Sequence, residues 1–373
     1  MKHELLIKML ENYASTTLKK RAQDVDEQER FPTETVAELA KYGLLGLPYP
    51  TTYGGVGADT KAYIDAVRIT SQYCATTGVI ISAHTSLCAS PIYAFGTEEQ
   101  KQKYLTKLNT GEYLGAFGLT EAGAGTDASA QQTKAIDCGD YYEVTGNKIF
   151  ITNAGYADVY IIFAMTNPEL GLKGISAFIV EKDFEGFSVG PQEKKMGIRG
   201  SSTCELILQK VKVPKENLLG KLGEGFKIAM ATLDGGRIGI AAQALGIAEG
   251  AFNRTIEYVK KRVQFGKPIA AFQNTQFVVA DMKTKLEAAS LLLYNAVAAK
   301  DKGSSYTTEA AMAKLYCSRV AVEVTDQCVQ LLGGYGYIRD YELERMYRDA
   351  KITEIYEGTS EVQRMVIAGK VLR

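Results

Sequence analysis

The segment Gly123-Ala124-Gly125-Thr126-Asp127-Ala128 has the GxGxxA spacing of a dinucleotide-binding turn and follows an apolar run at 114–119. A true fingerprint needs a helix directly behind the glycines, whose N-terminal amides hold the pyrophosphate. Here Gln131-Gln132-Thr133 and then a turn at Gly139-Asp140 follow, which leaves no room for that helix. Two readings stay open. One is a ligand loop whose small residues admit close backbone approach, with hydroxyls at Thr120, Thr126 and Ser129; the other is a tight turn of no special function. The two histidines restrict the remaining chemistry. His3 falls in an N-terminus expected to be mobile, and His84 lies in a Ser/Ala/Thr-rich stretch suited to packing. A Ser–His–Asp triad or a His-rich metal centre would have to use His84. Cys74, Cys88, Cys138, Cys204, Cys317 and Cys328 are far apart with no CxxC pair. Buried free thiols in a reducing cytoplasm are therefore expected, not a zinc site or a disulfide framework.

Composition narrows the classes further. The 373 residues carry 43 Lys+Arg against 43 Asp+Glu, without the cationic surplus that phosphate backbones demand, so no nucleic-acid partner is expected. No apolar run is read as approaching the ~20 residues of a membrane span, so no membrane insertion is expected. Residues 1–21 mix Lys, Glu and Leu, unlike a secretory signal or an acid-poor transit peptide. A cytoplasmic location follows as an expectation.

Any site must be positioned by three blocks. Residues 1–112 read as helical. Val36, Leu39, Ala40 and Leu44 recur at helical spacing, with Gly43 placed to end that helix, and Thr97-Glu98-Glu99-Gln100 is a capping box opening a helix that ends by Gly111. Residues 113–220 change period. The runs 141–146, 149–152, 159–164 and 175–180 are β-branched or aromatic, are bounded by Gly, Asn, Pro or Asp, and predict antiparallel strands in a small barrel or sandwich. Residues 221–373 return to the helical period, with long helices predicted at 226–262, 275–302 and 308–332. A short one is predicted at 349–356 and a last one at 360–373, packing as an antiparallel, four-helix-type bundle. The fold class is multi-domain α+β.

Six separated segments together resemble the acyl-CoA dehydrogenase family, most closely its short-chain, butyryl-CoA-type members. They are Phe117-Gly118-Leu119-Thr120-Glu121-Ala122-Gly123-Ala124-Gly125-Thr126-Asp127, Lys148-Ile149-Phe150-Ile151-Thr152-Asn153, Leu233-Asp234-Gly235-Gly236-Arg237, Arg262-Val263-Gln264-Phe265-Gly266, Gln330-Leu331-Leu332-Gly333-Gly334-Tyr335-Gly336 and Ile355-Tyr356-Glu357-Gly358-Thr359-Ser360-Glu361. Each is weak alone, but in the family's order they cover nearly the whole chain. The resemblance implies FAD between the β-domain and the bundle, and an acyl-CoA substrate losing an α-proton to a base and a β-hydride to flavin N5.

The resemblance makes Glu357 the base. Its expected place near a helix C-terminus, with burial beside a flavin, would raise its pKa toward the working range; read without the motif, it passes as a surface Glu in a helix junction, as do Glu354 and Glu361. Family variants place the base on the helix around 234–237, where this chain has Gly235 and Gly236. The thioester oxygen would be met by the base's own amide and a flavin hydroxyl. Substrate contacts fall to Thr126, Asp234, Arg237 and Gly358. Cofactor contacts fall to Phe117, Leu119, Thr120, Gly125, Thr126, Phe150, Ile151 and Thr152. Arg262, Phe265, Gln273, Gln330, Gly333 and Gly334 join them, in the family partly from a neighbouring subunit, along with Thr359 and Glu361. Most relatives carry Trp where Phe150 stands, and Phe keeps an aromatic face there. Without the resemblance, Arg262 passes as a helix C-terminal cation and Gly333-Gly334 as a helix stop.

Electron-transferring flavoprotein is the implied electron acceptor and a homotetramer the implied assembly. An oxygen-using oxidase, an enoyl-CoA reductase and a family-derived scaffold are the alternatives. A decarboxylating glutaryl-CoA enzyme is set aside, since 71–96 contain no Arg or Lys.

Overall fold

The computed structural model describes residues 2–303 and 305–372. Helices occupy the N-terminal part, among them Lys2–Tyr13, Thr33–Lys41 and Thr60–Ser71. The capping box forms as expected: Gln100 N donates to Thr97 Oγ1 at 3.2 Å, and Thr97 N to Gln100 Oε1 at 3.1 Å. His3 is not loose. It sits in the first helix, with Nε2 3.0 Å from Asp65 Oδ2, which docks that helix on Thr60–Ser71.

The chain between Ala75 and Phe95 corrects one expectation. It is long and apolar enough to cross a membrane, but 78% of its most apolar window is buried inside the protein. Its face packs against the helix Gly225–Lys261 and the first strand, so it is a core helix.

The strands are β1 (Gly115–Gly118), β2 (Lys134–Asp137), β3 (Tyr141–Thr152), β4 (Val159–Met165), β5 (Ile175–Glu181), β6 (Phe187–Gln192), β7 (Thr203–Pro214) and β8 (Leu218–Leu219). They form one eight-stranded sheet in the order β6-β7-β3-β2-β4-β5-β8, with β1 on β4. Among the described residues no pairing joins β6 to β8, so the sheet is not a closed barrel. Nor is it wholly antiparallel. β1 runs parallel to β4, and β2 meets β4 in parallel at one position. The cause is local: Asp158 Oδ2 accepts from Leu114 N at 2.9 Å and Asp158 N donates to Leu114 O at 2.8 Å, which starts both strands side by side. The predicted runs 141–146 and 149–152 are one strand, irregular at Gly146 (φ 153) and Phe150 (φ 59).

The C-terminal part is built on Gly225–Lys261, Gln273–Asp301, Thr307–Leu332 and Ser360–Val371. Residue 373, the end of the last predicted helix, lies outside the described residues. The short helix predicted at 349–356 instead runs Leu343–Lys351 and continues as a 3-10 turn, Ile352–Glu354. N-terminal and C-terminal helices share one hydrophobic core, in which Leu10, Leu18 and Tyr63 pack with Leu245, Leu293 and Val320. Close approach depends on glycine. A Cβ at 246 would lie 2.2 Å from Arg68 O, and one at 250 would lie 2.2 Å from Gln72 O. Five cysteines are buried and Cys138 is exposed, the one departure from the expectation; all six are free thiols.

Candidate active site

Glu357 occupies the junction between the 3-10 turn and the helix Ser360–Val371. Both Glu357 (φ 57) and Gly358 (φ 87) are left-handed. For a non-glycine residue that conformation costs about 1–2 kcal/mol and must be held from outside. Three helices hold it. The Tyr356 hydroxyl donates to Gln243 Oε1 of Gly225–Lys261. Lys314 Nζ, from Thr307–Leu332, donates to Gly358 O at 2.7 Å. Gln363 Nε2, from Ser360–Val371, donates to Glu357 O at 3.2 Å and Gly358 O at 2.8 Å. Thr359 caps the last helix, accepting from Val362 N at 3.4 Å.

The side chain is thereby aimed at the long helix. Glu357 Oε2 is closed off from solvent and has no hydrogen-bond partner. A Cβ at position 236 would lie 2.5 Å from that oxygen and 2.8 Å from Leu87 Cδ2. Burial pushes the carboxyl up to about 7, against the opposing pull of the Lys314 and Arg237 cations. Of the two expected causes burial is present and the helix dipole is not, because the preceding helix has ended at Lys351. Glu354 pairs with Lys351 at 2.6 Å, and Glu361, on the exposed face of the last helix, pairs with Arg364 at 3.1 Å.

Asp234 and Arg237 do come to this site, one turn apart on Gly225–Lys261. Arg237 is not a solvated cation. It is 4% exposed, its Nη1 donates to Asp234 Oδ1 at 2.6 Å, and its Nε is buried without a partner. Thr307 Oγ1 holds the other Asp234 oxygen at 2.6 Å.

A second set lies on β1, the following loop and β3. Residues 119–133 contain no helix, only a bridge between Glu121 and Ala124, so the fingerprint reading fails as argued. Phe117 packs edge-on to Phe163, and Leu119 and Ile151 are buried. Gly125 and Thr126 are exposed, and Thr120 O accepts from Ile149 N at 2.9 Å, tying the loop to β3. The left-handed Phe150 throws its ring outward, 62% exposed, beside the half-buried Thr152. Beneath the loop sits Lys148, wholly buried, its Nζ donating to Leu119 O, Glu121 Oε1 (2.7 Å) and Gln131 Oε1 (2.9 Å).

The third set is elsewhere in the same chain. At the α-helical rise, Arg262 lies about 38 Å along the axis from Arg237. Its guanidinium lies 5.3 Å from the Tyr335 ring centre, in a cavity of about 860 Å³ that also takes in Lys261, Leu332 and Tyr341 but not Glu357. Phe265 projects from the hairpin of Val263–Gln264 with Lys267–Pro268 and is 94% exposed. Gln273, Gln330, Gly333 and Gly334 are exposed too.

These residues fit a flavin. Gly123, Gly125, Gly333 and Gly334 have open space where a Cβ would stand, and an outward aromatic flanks the loop. Such surfaces admit a large planar ligand with its phosphates on bare backbone.

The sequence reasoning missed Lys314, Gln363 and the Lys148–Glu121–Gln131 cluster. One signal was available: Ala310, Lys314, Cys317 and Ala321 fall on one helical stripe, so a lysine stands where an apolar residue belongs.

Three acyl-CoA dehydrogenase domain families match the chain, the N-terminal domain over residues 1–112, the middle domain over 116–211 and the C-terminal domain over 223–372. The chain belongs to the acyl-CoA dehydrogenase family, a family of FAD-dependent oxidoreductases with this three-domain fold. It is 57% identical over 370 residues to the short-chain specific acyl-CoA dehydrogenase of Clostridium acetobutylicum, spanning 99% of this chain and 98% of that one. The butyryl-CoA dehydrogenase structure from Megasphaera elsdenii superposes with a TM-score of 0.98 at 50% identity, covering 100% and 98% of the two chains. A subunit of the caffeyl-CoA reductase–Etf complex of Acetobacterium woodii is 46% identical over 372 residues, covering 100% of this chain and 98% of that one.

Proposed function

We propose that this protein catalyses α,β-dehydrogenation of short-chain, butyryl-CoA-like acyl-CoA thioesters, with Glu357 as the base and electron-transferring flavoprotein as the electron acceptor. The observation that carries it is the Glu357 carboxyl, with Oε2 closed off from solvent, unpartnered and set against Gly236, and with its pKa raised toward neutrality. Bound FAD supplies the two-electron acceptor. Glu357 takes the α-proton of the thioester on a carboxylate oxygen, the electrons of that C–H bond become the new Cα=Cβ bond, and the β-hydrogen would leave with its electron pair to the two-electron acceptor that FAD supplies. The Glu357 amide, presented by its left-handed backbone, serves the thioester oxygen as charge develops there. Asp234 and Arg237 meet the CoA portion, with Thr307 orienting Asp234. Phe117, Phe150 and Thr152 hold the ring, and the loop fixed by Lys148 borders it. Arg262, Phe265, Gln273 and Gln330 serve the cofactor of a second copy, a reading supported by the distance of Arg262 from Arg237 and by the exposure of the other three. The large exposed side chains Phe277, Leu291 and Met365 suit burial in a homotetramer.

Enoyl-CoA reduction is the second reading, favoured by the caffeyl-CoA reductase–Etf relative. The Etf in that complex also supports the partner. Anaerobic titration decides the first point: butyryl-CoA is expected to bleach the oxidised flavin, and Glu357→Gln to keep FAD but abolish bleaching. A variant that still bleaches overturns the assignment. Profiling C3 to C8 acyl-CoAs tests chain length. Comparing Etf-coupled oxidation of butyryl-CoA with reduction of crotonyl-CoA under physiological donor ratios tests direction.

A further inference from the structure

We propose that Lys314 is a positioning residue for the base, its buried ammonium gripping the Gly358 carbonyl and so fixing the Glu357 carboxylate against Gly236. The inference rests on the reading of Glu357 as base.

Lys314 is wholly buried in the helix Thr307–Leu332, on the stripe of Ala310, Cys317 and Ala321. An apolar residue would fill that stripe at no desolvation cost, whereas a buried ammonium is expensive unless something specific holds it. What holds it is a backbone carbonyl, Gly358 O at 2.7 Å. That carbonyl ends a pair of consecutive left-handed residues, Glu357 and Gly358. Two other ties act here: Gln363 grips the turn from the helix that follows it, and Gln243 of the long helix holds the neighbouring Tyr356 hydroxyl. Lys314 is the tie that reaches the Gly358 carbonyl from outside the turn's own segment. Without it the turn is tied at Gly358 only to its own C-terminal helix, and the carboxylate loses its fixed height over Gly236. Displacements near 1 Å cost about 100-fold in rate when they move a reacting group.

The ammonium also acts by charge. The groups facing Glu357 are Arg237 from Gly225–Lys261, Tyr63 from Thr60–Ser71, Tyr356 from the turn and Lys314 itself; Glu354 and Glu361 face Lys314 from either side of the turn. Burial, with the Arg237 charge, brings Lys314 down to about 7, against the pull of Glu357. In its charged form Lys314 favours the ionised base. The same side chain thus sets both where the carboxylate stands and how readily it ionises.

The test uses holoenzyme and two variants. In Lys314→Met both grip and charge are lost; in Lys314→Gln a donor remains without the charge. For Lys314→Met, kcat with butyryl-CoA is expected to fall at least about tenfold with KM changed less than about threefold. The acidic limb of its kcat–pH profile is expected to move up by about one pH unit, because a cation near a carboxylate is removed. Lys314→Gln is expected to recover kcat in part while keeping the shifted limb, and it carries the same readouts where Lys314→Met does not accumulate as folded holoenzyme. Difference infrared spectroscopy of the protonated carboxyl band, identified by its loss in Glu357→Gln, is expected to show the same upward shift directly. A wild-type kcat with an unmoved acidic limb and carboxyl midpoint in either folded variant overturns the proposal. Retained activity in Glu357→Gln sinks instead the reading it rests on.

Discussion

Gly236 lies flush against the carboxylate of Glu357, with no room for even a methyl group: a Cβ there would stand 2.5 Å from Oε2. The two residues are far apart in sequence, one inside the long helix and one in the junction before the last helix, so the position opposite the proposed base is specified by an absence. In a helix interior Gly→Ala ordinarily stabilises by about 1 kcal/mol. Here the methyl must displace both the carboxylate, 2.5 Å away, and Leu87 Cδ2, 2.8 Å away. Gly236→Ala is expected to lower kcat with butyryl-CoA about tenfold or more while leaving FAD content unchanged, because one displaced group is the proposed base. Steady-state kinetics beside an absorbance ratio at the flavin and protein bands checks it, and an unchanged kcat refutes it.

Glu357 is raised by burial to about 7, so at lower pH it is protonated and cannot accept a proton. The kcat/KM of the dehydrogenation is expected to rise with pH through a midpoint near pH 7. The stability effect has its own sign. Between the ordinary carboxyl value of 4.5 and about 7 the native state binds more protons than the unfolded chain, so this group's contribution is present at low pH and lost as pH rises through 7. A profile of kcat/KM from pH 5.5 to 9, with short-chain acyl-CoA below saturation, gives the midpoint; one near 4.5 removes the argument for an enclosed base.

Much of this arrangement is legible in the amino-acid order. Long apolar periods gave the helices at 225–261, 273–301 and 307–332 to within a few residues, since core packing leaves a strong 3.6-residue signal. The sheet was read less well. Strand β1 is four residues flanked by glycines and is fixed by Asp158, a contact no local window contains. The break read at Gly146-Asn147 is a bulge in a continuous strand, because tertiary pairing with β7 overrides a local turn signal. The proposed base is legible in its motif and the expected burial is there, but the helix C-terminus expected beside it is not. Enclosure is a property of three helices meeting, and Lys314 and Gln363 show themselves only once that meeting is seen.

Lys148 and Glu121 pin the loop that borders the proposed flavin site. Burial alone would raise the Glu121 carboxyl, yet the Lys148 charge, the Gln132 amide and the Thr133 hydroxyl hold it below its ordinary value, and burial brings Lys148 down to about 8. Removing one partner of such a pair strands the other, at about 3–5 kcal/mol. Lys148→Met is therefore expected to lower the melting temperature and to lose FAD on gel filtration, since residues 119–133 are freed. Adding Glu121→Gln to it is expected to restore part of the melting temperature, because the stranded charge is gone. A Lys148→Met protein with full FAD content and unchanged melting counts against the loop's dependence on this pair.

His84 joins the N-terminal helices to β1 through a fixed tautomer. Gly115 N donates to its Nδ1 at 3.1 Å, so Nδ1 is unprotonated, and Nε2 carries the proton donated to Leu108 O at 3.1 Å. Protonating Nδ1 would set two donors against each other in a site with no solvent. Burial accordingly depresses the imidazole to about 4 from its ordinary 6.5. Above pH 6.5 folded and unfolded states are both neutral here, and the contribution to stability is fully present. As pH falls from 6.5 toward 4 the unfolded chain binds a proton that the native state refuses, so stability is lost, by about 3 kcal/mol at full extent. Glu357 moves the opposite way over part of this range, which makes the total profile ambiguous and a difference necessary. His84→Asn keeps a donor and an acceptor but does not titrate. The urea midpoint of wild type is expected to exceed that of His84→Asn most at pH 8, with the gap closing as pH is lowered to 5. A gap that stays constant would mean that the native state accommodates the imidazolium, and that His84 is not locked in the tautomer its two partners require.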